Sequence, residues 1–258
     1  MKLFHKTTGE GPDLVLLHGW GMNAAVWSPV AESLARHYRV TIIEMPGHGA
    51  SDYAVDRYTL DDWVQACLAV APQEAVWVGW SLGGQLAQRA AVLAPERIAK
   101  LVLVTSSPKF VIGEQWPHAM ALNTLKLFAK ALSRDPHQTL ERFLSLQVQG
   151  DEAARETLRL LRKDIALRPE ANPVALEHGL DLLLDVDLRA GLRDIQCPTL
   201  WLFGERDTLV PADLCDEIEQ MMPDAEILIL QGCAHAPFLS HPQACLRAMN
   251  HFLGTHNA

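Results

Sequence analysis

The stretch AVWVGWSLGGQLAQRAAVLA, residues 75–94, decides the fold. Its first four residues are an apolar run with β-branched valines, and its last eleven have the composition of a helix. Between them Gly79-Trp80-Ser81-Leu82-Gly83 sets a serine on the turn from strand to helix. So sharp a turn brings the helix close to the strand, and Gly79, Gly83 and Gly84 remove the side chains that would obstruct it. The serine then stands in front of a helix N-terminus, where developing negative charge is favoured. The alternative is a glycine-rich turn with an incidental serine. The strand before and the helix after favour a nucleophile at Ser81.

Working outward, residues 14–17, 39–45 and 99–105 read as further short apolar strands. Residues up to about 36, 60–70 and 83–93 read as helices between them. Continuous apolar strands separated by helices signal a mostly parallel sheet covered on both faces. From residue 109 to 189 no strand pattern appears, only helix-forming segments such as LNTLKLFAKAL and EAARETLRLLRKDIA. Strands return at 199–203 and 226–230, with helices at 213–222 and 243–253. The expected architecture is an α/β core made of residues 1–108 and 190–258, with residues 109–189 inserted as a helical cap.

A serine hydroxyl becomes a nucleophile only with a base and a group that orients the base. After the strand at 199–203 comes Gly204-Glu205-Arg206-Asp207, then Leu209-Val210-Pro211. Asp207 is the preferred acid, because a Gly-x-x-Asp loop followed by an apolar-Pro step is the usual arrangement; Glu205 reads as a solvated loop carboxylate. After the strand at 226–230 comes Gly232-Cys233-Ala234-His235, which places His235 where the base belongs. His241, His251 and His256 fall in or beyond the last helix and read as surface residues. An oxyanion needs preorganised donors. His18-Gly19-Trp20-Gly21 follows the first strong strand, so the backbone N–H groups of Trp20 and Leu82 are the candidates. His18 reads as support for that loop. The Trp20 and Trp80 rings either wall a pocket or pack in the core.

Composition narrows the function classes. The 258 residues carry 22 Lys and Arg against 31 Asp and Glu, a formal net charge of −9, which argues against a general nucleic-acid binder. No apolar run approaches the roughly 18 to 20 residues of a membrane span. The N-terminus lacks the apolar segment of a secretory signal, so a cytoplasmic protein is expected. Five cysteines without a CxxC pair point to free thiols. With no P-loop, GxGxxG or HExxH, no cofactor and no metal are expected.

These residues together resemble the α/β-hydrolase family over essentially the whole chain. Within it, LVLLHGWGMNAAVW, VGWSLGG, the cap segment ERFLSLQ and the final HAPF look like the methyl ester esterases of biotin synthesis. The resemblance implies a serine carboxylesterase that removes the methyl ester from a pimeloyl chain borne on acyl-carrier protein. It implies Ser81, Asp207 and His235 as the triad, Trp20 and Leu82 as oxyanion contacts, and Phe143, Leu144, Ser145, Leu146 and Gln147 as lining of the substrate channel. The partner implied is the acyl-carrier protein, met by a monomer without nucleic acid or membrane.

The cap has its own charge pattern. Residues 126–168 hold nine Lys and Arg against six Asp and Glu, so the rest of the chain is net −12. A basic face bearing Arg142, Arg155 and Arg159 suits an acidic carrier protein. A solvated face with Glu152 and Glu156 pairing locally is the alternative. Rival functions are a broad short-chain carboxylesterase, a thioesterase, and a non-catalytic ligand receptor on the same fold.

Overall fold

The computed structural model describes residues 1–254; His256 lies outside them. Seven strands form one sheet: β1 (His5–Thr8), β2 (Asp13–Leu17), β3 (Arg39–Ile43), β4 (Ala75–Trp80), β5 (Ile98–Val104), β6 (Thr199–Gly204) and β7 (Glu226–Leu230), in the order β1-β3-β2-β4-β5-β6-β7. Every neighbouring pair is parallel except β1 with β3. Each apolar run predicted as a strand is one, within one or two residues at its ends. The exception is β1, which the sequence reading misses. Its residues, HKTT, are all exposed and carry no apolar period, so backbone pairing with β3 alone makes them a strand.

Successive side chains on a strand point to opposite faces, and in the central strands both faces are buried. Trp77, Leu101 and Leu103 enter one core with α2 (Leu60–Val70) and α3 (Leu82–Leu93). Val76, Val78, Trp80, Val102 and Val104 enter the other, with α1 (Ser28–Leu34) and α10 (Pro242–Leu253), the last helix of the described chain. All six residues of β4 are buried, which is why the strand reads as an unbroken apolar run. Thr59 and Asp62 form a reciprocal capping box that starts α2 at the residue the sequence indicates.

Between β5 and β6 lie α4 (Leu122–Leu132), α5 (Pro136–Gln147), α6 (Ala154–Ile165) and α7 (Pro173–Asp185). Asp135 and Asn172 cap α5 and α7, each followed by a proline whose missing N–H costs nothing at a first helical position. The insertion is tied to the core. Asn23 Nδ2 donates to the Ile165 carbonyl at 3.1 Å, and Arg168 forms two hydrogen bonds to the fully buried Glu44 carboxylate. Among the described residues, no helix is long and apolar enough to cross a membrane. Between β6 and β7 lies α8 (Cys215–Met221), and after β7 the short α9 (Pro237–Ser240) follows the loop of His235 and leads to α10.

Candidate active site

Ser81 stands between β4 and α3 with φ 55° and ψ −121°, a positive-φ conformation that a residue with a Cβ adopts only when its surroundings enforce it. Its N–H donates to Val104 O at 3.1 Å, and its carbonyl accepts from the Ser106 hydroxyl at 2.7 Å and from Gly84 N at 2.9 Å. A Cβ on Gly79 would lie 2.4 Å from Gly83 O, and one on Gly83 2.4 Å from His18 O. The two outer glycines of the motif are therefore sterically required. The Ser81 side chain itself is nearly buried, with 3% exposure.

The His18–Gly21 loop packs directly on this turn: a Cβ on Gly19 would meet Ser81 Cβ at 3.3 Å. The backbone N–H groups of Trp20 and Leu82 make no hydrogen bond to the described residues, although both residues are buried. Two histidines hold the loop. His18 Nε2 accepts the Met45 N–H at 3.0 Å, so its proton is on Nδ1, which donates to Gly19 O at 2.8 Å. His48 Nε2 accepts the Gly21 N–H at 3.2 Å and its Nδ1 donates to Pro46 O at 2.9 Å. Burial pushes His18 down to about 3, helped by the neighbouring His48, and pushes His48 down to about 4. Both stay neutral, as an accepting Nε2 demands.

The loops of Asp207 and His235 meet at the end of the sheet. Asp207 Oδ2 accepts from His235 Nδ1 at 2.7 Å, while Asp207 Oδ1 accepts the N–H groups of Leu209 and Val210. His235 Nε2 is buried and has no partner among the described residues, so the nitrogen that can take a proton is unengaged. Glu205 is exposed and accepts the Gly232 N–H at 2.9 Å, away from the imidazole. Of the other histidines, His241 is half-buried against Ser240 and His251 is exposed.

Two residues that hold the His235 loop have no clear sequence signal. The His235 carbonyl accepts both the Trp80 indole N–H and the Thr105 hydroxyl, each at 2.7 Å. Trp80 is fully buried, packs against Phe238 and His235, and belongs to the core rather than a pocket wall. Thr105 has φ 40°, another strained position next to the chemistry. Chain order hides Thr105, since only the end of β5 meeting a distant loop gives it a role.

The predicted lining residues divide. Trp20 donates its indole N–H to Leu176 O on α7 at 2.9 Å and meets the Phe143 ring edge-on, centroids 4.9 Å apart. Gln147 is buried, its carbonyl accepts the His235 N–H at 3.0 Å, and its side-chain oxygen has no partner among the described residues. Leu144 turns into the other core, whereas Ser145 and Leu146 line an outer groove of about 560 Å³ with Arg142 and Arg162. Arg155 and Arg159 are exposed on α6; Arg159 pairs with Glu156 and Arg162 with Glu141. Glu152 pairs with Arg206 instead of an arginine of α5 or α6. Among the described residues no cluster of His, Cys, Asp and Glu is arranged to hold a metal.

A family model described as alpha/beta hydrolase fold matches residues 12–242. A pimeloyl-[acyl-carrier protein] methyl ester esterase of Photobacterium profundum is 44% identical over 249 residues, 96% of this chain and 97% of that protein. The protein of the same name from Nitrosomonas europaea is 45% identical over 239 residues, 92% of this chain and 94% of its own. Among solved structures, an esterase from Exiguobacterium antarcticum superposes with a TM-score of 0.89 at 19% identity, covering 98% of this chain and 95% of that one.

Proposed function

The chain belongs to the α/β-hydrolase family, and from that premise we propose that it is a serine carboxylesterase acting on pimeloyl-[acyl-carrier protein] methyl ester. It releases methanol and frees the distal carboxylate in biotin synthesis. The observation that carries the chemistry is the pairing of Asp207 with His235 at 2.7 Å with Nε2 left unengaged, on a loop that Trp80, the residue before the strained Ser81, holds by its carbonyl. The near-full-length likeness to the named esterases supports the substrate.

In this reading the Ser81 hydroxyl attacks the ester carbonyl while His235 Nε2 takes its proton. Asp207 keeps the imidazole in the tautomer with Nδ1 protonated and stabilises the imidazolium. The oxyanion accepts from the N–H groups of Trp20 and Leu82, which are oriented before the substrate arrives. Collapse breaks the bond to the methoxy oxygen, which leaves as methanol with the proton from His235. Water, deprotonated by the same imidazole, then cleaves the acyl-Ser81 ester. Phe143 and Gln147 line the approach from the insertion, and Arg142, Arg155 and Arg159 on α5 and α6 present positive charge to the acidic carrier.

The test is to incubate the protein with the carrier-borne methyl ester and weigh the carrier by mass spectrometry. Loss of one methylene equivalent with the thioester intact is expected, and Ser81→Ala should not produce it. Loss of the whole acyl arm would make the protein a thioesterase, and no change in mass would overturn the assignment.

A further inference from the structure

The segment after α5 runs directly against the loop of the base. The His235 N–H donates to Gln147 O at 3.0 Å and the Glu152 N–H to Gly232 O at 3.0 Å. Asp151 lies between these contacts and is 7% exposed. One of its oxygens accepts the Ala153 N–H at 2.7 Å, and the other accepts the Ala234 N–H at 2.8 Å. No cation pairs with it among the described residues, so backbone donors are what stabilise its charge in this buried place.

We propose that Asp151 is a positioning residue for the reaction, acting through the Cys233–Ala234 peptide to aim the imidazole of the next residue; this rests on the reading of His235 as the base. The geometry explains how. Gly232, with φ 75°, begins the loop and gives it a pivot. Beyond that pivot two consecutive N–H groups, of Ala234 and His235, are fixed by the insertion, while the His235 carbonyl is fixed by Trp80 and Thr105 from the core. The backbone is thus held on both sides of the His235 Cα, and the ring is left with Nδ1 on Asp207. Removing Asp151 frees the Ala234 N–H and leaves the Cys233–Ala234 peptide held only by the Arg206 N–H on its carbonyl, which loosens the loop beyond Gly232. A displacement near 1 Å at a catalytic group costs on the order of 100-fold in rate. The helical insertion is therefore part of the catalytic frame.

The experiment compares Asp151→Ala, Asp151→Ser and His235→Gln in the full chain, using p-nitrophenyl butyrate, which needs no carrier. Asp151→Ser keeps an oxygen near the Ala153 N–H, preserving the local turn, but is too short to reach Ala234. It therefore serves if Asp151→Ala does not fold. For the folded variants kcat should fall about 10- to 100-fold with KM within about twofold. The low-field proton resonance of the His235–Asp207 hydrogen bond should shift or broaden. A purely structural role would lower the urea midpoint and leave kcat of the folded fraction and that resonance unchanged, which overturns the proposal. His235→Gln separates the two failures: if it retains activity, the base assignment is wrong; if it is inactive while both Asp151 variants turn over normally, only the positioning role is wrong.

Discussion

The indole N–H of Trp80 lies 2.7 Å from the carbonyl oxygen of His235, so the residue immediately before Ser81 holds the loop of His235. Ser81 and His235 are 154 positions apart in the chain, yet one side chain on β4 ties the loop of one to the turn of the other. Thr105, at the end of the adjacent strand, donates to the same carbonyl. The two donors come from neighbouring, paired strands of the sheet.

Either donor alone keeps that buried carbonyl satisfied, and this gives a coupled prediction. Trp80→Phe or Thr105→Val should each cost about 1 kcal/mol of stability and a few-fold in kcat. Together they orphan the oxygen, so the double variant should lose about 1 to 2 kcal/mol more than the sum. Urea titration and kcat on p-nitrophenyl butyrate measure the cycle. Simple additivity would show that the shared carbonyl is not the link.

The acid can be identified by paired substitutions. Asp207→Asn leaves the shape but disturbs the tautomer and the charge beside His235, so kcat should drop by about 10⁴. Glu205→Gln still offers an oxygen to the Gly232 N–H and should stay within about threefold of the parent. The reverse pattern would move the acid to Glu205.

Acid should weaken the fold before carboxylate titration dominates. His18 and His48 are held down to about 3 and about 4, whereas unfolded histidine titrates near about 6.5. Between those limits the unfolded chain binds protons that the folded chain refuses. Their contribution is complete above about pH 6.5 and is lost as pH falls toward about 4, at up to about 1.4 kcal/mol per pH unit for each histidine. Urea midpoints at about pH 7, 6 and 5 should fall in that order. His48→Gln, which keeps an acceptor for the Gly21 N–H but cannot titrate, should flatten the dependence. An equal slope in that variant would exclude His48 as a source.

Charge on α6 should matter for the carrier and not for small esters. Arg155 has no ion-pair partner among the described residues, while Arg159 is already held by Glu156. Arg155→Ala should therefore raise KM for the carrier-borne ester several-fold, and more than Arg159→Ala does. The difference should shrink as salt rises past about 0.15 M, where the screening length is about 8 Å. Turnover of p-nitrophenyl butyrate should hold steady in both. Equal losses on both substrates would instead mark these arginines as supports of the insertion.

Sequence alone determined the parts whose signals are local. A strand buried on both faces must be apolar throughout, and a turn this tight demands glycine at Gly79 and Gly83, so the β4–Ser81–α3 unit was legible from residues 75–94. The loops bearing Asp207 and His235 were legible for the same reason, each following a short apolar strand. The edge strand β1 was not, because its exposed residues owe their conformation to hydrogen bonds with β3 and not to any pattern of their own. Nor could chain order show that Trp80, Thr105, Gln147 and Asp151 converge on the backbone of Ala234 and His235. Those contacts join a core strand, a strand end and an inserted helix to one loop. A hydrogen bond between residues so distant leaves no periodicity in the sequence, and only the packing of the insertion against the sheet decides it.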